Sequence, residues 1–150
     1  MSRSTARIAL PLLLAAALLT GALVASATAA KPKVYFPSNC TNARYKPQHV
    51  VAACADNGLV VNGISWSQYG AKSANGSGTA ATNTCTPTCV AGHFEHDPAL
   101  VRLYRPRNCH NLGIRLFTRL KIVYPSSRPS GSAKSITFPF PCSVLETGSG

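Results

Sequence analysis

The clearest signal of fold in this chain is the stretch Ile114-Arg115-Leu116-Phe117-Thr118-Arg119-Leu120-Lys121-Ile122-Val123-Tyr124. One set of alternate positions is apolar apart from Thr118, and the other set carries three cations with Phe117 between them. A period of two is typical of a half-buried antiparallel strand, with its apolar side on the core and its cationic side in solvent. The stretch therefore predicts an antiparallel strand with Phe117 on its cationic face.

Short runs of β-forming residues separated by turn residues recur along the rest of the chain. Leu59–Tyr69 follows the turn signal Asn57-Gly58, and Gly63 inside it indicates a bulge or a close backbone approach. The small polar residues 71–78 predict a loop, and a further strand is expected from Pro98 to Tyr104, ending before Arg105. We expect one all-β domain, an antiparallel β-sandwich or small barrel-like domain of six or seven short strands.

All six cysteines lie after residue 30, at Cys40, Cys54, Cys85, Cys89, Cys109 and Cys142. An even number of cysteines in a small exported chain indicates a disulfide framework. The pairing stays open, although Pro87 favours a tight reversal and hence a local Cys85–Cys89 bridge. A metal site is the alternative for these two thiols, but it requires reduced thiolates and better-spaced ligands.

Residues 1–30 are typical of a cleaved secretory signal peptide. Arg3 and Arg7 precede an apolar run from Ile8 to Val24, and the small residues of 25–29 supply cleavage sites. A retained membrane anchor is the alternative, because the run is nearly long enough to span a bilayer. We expect residues 31–150 to be a single secreted domain without stable membrane insertion.

The positive charge persists without the signal peptide. Thirteen of the fifteen Lys and Arg lie in residues 31–150 with all four acids, which gives a net charge of +9. Such a domain favours an anionic cell-wall polymer or lipid surface, whereas nucleic acid does not fit an extracellular location. The alternative is that the charge serves solubility alone.

The cations cluster in two neighbouring segments of the sequence. If their strands pair, the cations would form one patch around Phe117 and Tyr104. Arginine forks suit phosphate and carboxylate groups, and the alternative is an ordinary solvated sheet face. We expect a monomeric, non-enzymatic binding module without a cofactor. The candidate binding residues are Arg102, Tyr104, Arg105, Arg107, Arg115, Phe117, Arg119 and Lys121.

Two other functions remain open. His93, His96 and Asp97 have the chemistry of a Zn²⁺ site or an acid–base pair, which would make the protein a small hydrolase or metal-dependent enzyme. In a strand, however, residues 93 and 96 would point to opposite faces, and no recognised metal or nucleophile motif is present. The third possibility is a secreted inhibitor or toxin-like factor that presents the loop from Thr86 to Gly92.

A set of short motifs resembles a family of small secreted actinobacterial proteins with no established activity. The motifs are Ala43-Arg44-Tyr45-Lys46-Pro47, Cys54-Ala55-Asp56, Trp66-Ser67, Gly76 with Gly78, Asn83-x-Cys85-x-Pro87-x-Cys89-x-Ala91-Gly92-x-Phe94, Phe117-Thr118-Arg119-Leu120 and Tyr124-Pro125. This chain has Asn57-Gly58 where the family pattern has Gly-Asn. The resemblance implies a secreted, disulfide-linked β domain, and it brings no catalytic residues.

Overall fold

The computed structural model describes residues 30–146, so the predicted signal peptide lies outside it apart from Ala30. The described part is almost entirely β-structure, which confirms the all-β prediction. The strands are β1 (Phe36–Pro37), β2 (Ala43–Arg44), β3 (Val50–Val51), β4 (Leu59–Tyr69), β5 (Ser73–Asn83), β6 (Phe94–Cys109), β7 (Ile114–Val123) and β8 (Ser135–Pro139). A 3₁₀ turn at His110–Leu112 and a helical turn, α1 (Ser143–Glu146), complete the described structure. Among these residues, no helix has the length and apolar character needed to cross a membrane.

Six of the strands form one antiparallel sheet in the order β3-β4-β5-β6-β7-β8, so each strand pairs with its neighbour in sequence. The sheet curls into a half-barrel, which selects the barrel-like alternative over the sandwich. β1 and β2 form a separate two-stranded sheet. The segment before β1 docks on β7, because the Tyr35 N–H donates to the Arg115 carbonyl at 2.8 Å and the Phe117 N–H donates to the Tyr35 carbonyl at 3.0 Å.

The main core lies on the inner face of this curled sheet. Leu103 and Leu120 lie directly opposite each other on β6 and β7 and are fully buried, as is Ile122. The N-terminal segment and the chain after β8 cover this face with Phe36 and Phe140, whose rings meet edge-on at 4.8 Å. The alternation predicted for 120–124 is therefore correct.

β5 shows where the loop prediction for residues 71–78 is wrong. Gly76 and Gly78 lie in the middle of this strand, where β4 approaches closely. A Cβ at Gly78 would come within 2.6 Å of the Asn62 carbonyl oxygen, and one at Gly76 within 2.7 Å of the Ser65 carbonyl oxygen. The close approach of β4 thus requires glycine at these two positions, although a run of small polar residues in a sequence is typical of a loop. The bulge predicted at Gly63 is confirmed, since the β4–β5 register shifts between Asn62 and Ser65.

β6 continues to Cys109, so the prediction that a strand ends before Arg105 is wrong. Arg105 has a positive φ of 53°, and the β6–β7 register keeps the same offset on both sides of it. Beyond this point the buried face of β7 changes, because Phe117 joins the same core as Leu120 despite the odd spacing between them. Phe117 is completely buried, so its predicted place on the cationic face is wrong.

Three disulfides link Cys40 to Cys54, Cys85 to Cys89 and Cys109 to Cys142. The predicted local Cys85–Cys89 bridge is confirmed. The Cys109–Cys142 bridge attaches α1 to the end of β6, and buried Cys109 packs there with Leu116 and Leu145 in a second apolar cluster. One side of β7 near its start thus faces the main core through Phe117, and the other faces this smaller cluster through Leu116.

An aromatic cluster centres on half-buried Tyr69 at the end of β4. Its ring lies edge-on to Trp66 and Tyr45, both at 5.1 Å, and to Phe117 at 5.8 Å between ring centroids. Burial raises the pKa of Tyr69 to about 12, although the backbone N–H of Lys46 opposes the shift. The Tyr69 hydroxyl is buried, and no group among residues 30–146, the Lys46 N–H included, forms a well-aligned hydrogen bond with it. The phenol is therefore held in its neutral form.

Candidate functional site

The pairing of β6 with β7 brings four of the predicted binding residues together on the outer face of the sheet. Arg102 lies directly opposite Lys121, and Tyr104 lies directly opposite Arg119 in the adjacent row. The condition stated from sequence, that the two cationic segments lie on paired strands, is met by β6 and β7.

Arg102 and Lys121 line a shallow depression of about 390 Å³ that extends across β5 towards β4. We call this depression the outer groove. It is lined by polar and apolar residues as well as by the two cations. Its members are Ser67, Asn75, Gly76, Ser77, Leu100, Val101, Arg102, Lys121 and Val123. A groove that combines two cations, hydrogen-bonding groups and an apolar strip suits an anionic ligand with a carbon framework.

The polar parts of the outer groove are held in place by contacts within the sheet. The guanidinium of Arg102 lies 5.6 Å from the centroid of the Tyr104 ring, a cation–π contact. The Asn75 amide donates to Gln68 Oε1 at 2.8 Å, and the Ser67 hydroxyl donates to the Asn75 carbonyl at 3.1 Å. The groove is therefore built on paired strands with side chains already ordered.

Acidic side chains do not neutralise these cations in the part of the chain that the structure describes. Asp56 accepts the Gly58 N–H in the turn before β4, and Glu95 accepts the Ser130 N–H on the other side of the sheet. Asp97 is buried on the inner face opposite Ala80. The positive charge of the outer groove is thus available to an external anion.

The other predicted binding residues do not join the outer groove. Arg105, at the irregular position on β6, and Arg107, beyond it, are exposed, whereas Phe117 is buried. Arg115 lines a separate open cleft of about 690 Å³ together with Lys33, Tyr35, Asn108 and His110. Sequence reasoning missed Lys33 and Tyr35 in this cleft, because only the docking of the N-terminal segment on β7 brings them there.

The histidine and carboxylate cluster predicted from sequence does not assemble. His96 is exposed opposite Ala81 on the outer face, whereas the next residue, Asp97, is buried on the inner face. His93 lies before the first residue of β6. Within residues 30–146, no group of three or more His, Cys, Asp or Glu side chains is placed to hold a metal ion.

The side chain of Asn83 bridges the two ends of the disulfide loop. Its Oδ1 accepts the Cys85 N–H at 3.0 Å, and its Nδ2 donates to the Cys89 carbonyl at 2.8 Å. Val90, next to the bridge, is fully exposed. The loop is thus an ordered projection with an apolar side chain, and its role as an inhibitor or toxin-like element stays a prediction.

No family model, curated protein or solved structure matches this chain. The resemblance to secreted actinobacterial proteins therefore stays a prediction. The fold and the outer groove define the chain as a disulfide-linked, antiparallel β protein with a cationic surface groove.

Proposed function

We propose that this protein is a secreted, non-enzymatic binding module that holds anionic envelope polymers or surfaces in its outer groove. The observation that carries the proposal is the direct opposition of Arg102 and Lys121, with Tyr104 and Arg119 in the next row. Two cations at adjacent strand positions can contact one carboxylate or phosphate group or two successive groups of a polymer. Leu100 and Val123 contribute apolar area for its carbon framework.

The charge of the outer groove supports an external ligand better than a structural role. The Arg102 guanidinium lies over the Tyr104 ring, and neither Arg102 nor Lys121 forms an ion pair with an acidic side chain that the structure describes. A structural cation on a sheet face would instead be expected to pair with an acid across the strands. The extended, open form of the groove suits a polymer or a surface.

An extracellular location is part of the same proposal. Three disulfides support it, since such bonds persist in oxidising compartments. The signal-like sequence of residues 1–30 supports it independently. In that location the available anions are envelope polymers and lipid headgroups.

The test is a sedimentation assay with the purified protein, its disulfides intact. The probes are polyglutamate and polyphosphate on beads, and vesicles of phosphatidylcholine with or without phosphatidylglycerol. We expect retention at about 0.05 M salt that falls strongly at about 1 M salt, where the screening length shrinks to about 3 Å. The bead and vesicle arms separate a polymer ligand from a lipid surface.

A matched pair of variants separates the groove from net charge. The triple variant Arg102→Glu, Arg119→Glu, Lys121→Glu, called the groove variant, reverses the two groove cations and Arg119 in the adjacent row. The control Lys72→Glu, Arg128→Glu, Lys134→Glu reverses three exposed cations elsewhere. Both lower the net charge equally. We expect the groove variant to lose retention and the control to keep most of it. Equal losses would show that binding follows net charge alone, and the proposal would fail.

A further inference from the structure

A second cavity lies at the end of the β5–β6 hairpin where the disulfide loop connects the two strands, and it differs in chemistry from the outer groove. We call it the hairpin pocket, and its volume is about 340 Å³. Its lining comes from the hairpin end and from the loop that precedes β8. The residues that matter here are Thr82, Thr84, His93, Glu95, Ser130 and Ser132.

Strand pairing places four of these side chains on one side of the hairpin. Thr82 lies directly opposite Glu95. The ladder continues one step further, because the Thr84 N–H donates to the His93 carbonyl at 2.9 Å. The Ser130 N–H then donates to Glu95 Oε2 at 3.1 Å, which attaches the loop over the pocket. Hydroxyl, imidazole and carboxylate groups thus surround one small space.

The hairpin pocket is acidic in a strongly basic protein. Glu95 lines it, and no Lys or Arg does. Four other cavities on the described surface each include at least one Lys or Arg, for example Lys33 and Arg115, or Arg44 and Lys46. An anionic ligand therefore fits those cavities, whereas the hairpin pocket suits a polar ligand without negative charge.

One polar atom in the hairpin pocket is left without a partner. The hydroxyl oxygen of Thr82 is buried and forms no hydrogen bond with the described part of the chain. Burying a hydroxyl without a hydrogen bond destabilises the folded protein. A ligand hydroxyl or a bound water at this position would satisfy the Thr82 hydroxyl, which valine, with the same shape, lacks.

We propose that the hairpin pocket binds a single neutral sugar residue through its hydroxyl groups. Sugar hydroxyls both donate and accept hydrogen bonds, as do the Thr and Ser hydroxyls and the His93 imidazole, while Glu95 accepts them. The volume lies at the lower end of the range of about 300–1,000 Å³ for small-ligand sites, consistent with one ring. This site does not depend on the outer groove.

The test is NMR titration of the intact oxidised protein with glucose, N-acetylglucosamine and glucuronate. We expect the two neutral sugars to shift the amide signals of Thr84, Glu95 and Ser130. Glucuronate should bind more weakly, because its carboxylate is repelled by Glu95. Glu95→Gln should bring the affinity for glucuronate close to that for glucose.

Thr82→Val supplies the decisive comparison, because it removes the hydroxyl and keeps the side-chain shape. We expect glucose to bind about fivefold more weakly, in line with the loss of one neutral hydrogen bond. The variant should be at least as stable as the parent protein, which separates lost binding from lost folding. The groove variant Arg102→Glu, Arg119→Glu, Lys121→Glu should bind glucose normally.

Three results would overturn the sugar site: no shift with either neutral sugar at tens of millimolar, unchanged glucose affinity in Thr82→Val, or equal affinity for glucose and glucuronate in the parent protein. None of them affects the polyanion assay, so the two proposals fail separately.

Discussion

Substitution of Phe117 by alanine tests whether the change of buried face on β7 is real. The side chain is completely buried in the main core and packs edge-on against Tyr69 at 5.8 Å. Truncating a buried Phe removes its transfer free energy and leaves a cavity, which together cost about 3–5 kcal/mol. Since small domains have about 5–15 kcal/mol of stability in total, the loss should be large.

Leu100→Ala is the matched control on the outer face of the same sheet. The side chain of Leu100 is 48% exposed, so only about half of its burial energy is lost and no closed cavity forms. With about 1.5–3 kcal/mol for complete burial of Leu, the expected loss is about 1 kcal/mol. The two substitutions should therefore differ in the free energy of unfolding by at least about 2 kcal/mol.

Urea denaturation with intact disulfides, followed by tryptophan fluorescence, measures both losses. Trp66 is a suitable probe, since its indole N–H donates to the Pro47 carbonyl at 2.9 Å and its ring packs on Tyr69. If Phe117→Ala costs no more than Leu100→Ala, then Phe117 lies on the exposed face. In that case the strict alternation predicted from sequence would be right.

Two further predictions concern β5 and the aromatic cluster. Gly78→Ala should lower the free energy of unfolding by about 1–3 kcal/mol through overpacking, because its Cβ would lie 2.6 Å from the Asn62 carbonyl oxygen. Gly70→Ala, with its nearest neighbour at 3.6 Å, should have little effect, and equal urea midpoints for the two variants would refute the close packing of β4 and β5. Burial raises the pKa of Tyr69 to about 12, whereas the pKa of an unfolded tyrosine is about 10. Between about pH 10 and pH 12 the folded protein therefore keeps the Tyr69 proton, and the unfolded chain has lost it. Stability should therefore fall as pH rises through this window, and Tyr69→Phe should lose less stability over the same window when melting temperatures are compared. A Tyr69→Phe protein with the same pH profile as the parent would contradict this assignment.

The outer groove lies on paired strands, so its side chains have fixed positions before a ligand binds. Its two cations project from adjacent paired strands, and its polar neighbours are already hydrogen-bonded. Sites built on strands keep their geometry better than sites on loops and lose less entropy on binding. We therefore expect ligand selectivity to depend on the spacing of anionic groups along a polymer.

Several structural features could be predicted because they depend on local sequence. The bounds of β4 follow from its β-forming residues and the Asn57-Gly58 turn, and the structure confirms a positive φ of 53° at Asn57. The Cys85–Cys89 bridge follows from short spacing around Pro87. The alternation of Leu120 and Ile122 with polar residues identifies core positions because one face of the sheet is buried and the other is in solvent.

Other features could not be predicted, because they depend on what lies across the sheet. The glycines of β5 resemble a loop until β4 is packed against them. The hairpin pocket joins residues of β5 and β6 with a loop about 35 positions further along the chain, as the Glu95–Ser130 hydrogen bond shows. The residue pattern of the hairpin and that of the loop do not predict that the two are in contact.

By itself, the sequence determined the all-β class and the excess of positive charge, and it favoured one of the three disulfides. Each follows from side-chain type and short-range spacing. The tertiary structure decided which cations share a face, since the positive φ at Arg105 coincides with a change of buried side on β7 and with the burial of Phe117. It also decided that Lys33 and Arg115 line one cleft and that Thr82 and Glu95 line another. The physical reason is that a side chain's surroundings are set by long-range pairing and sheet curvature, which alternation along one strand does not encode.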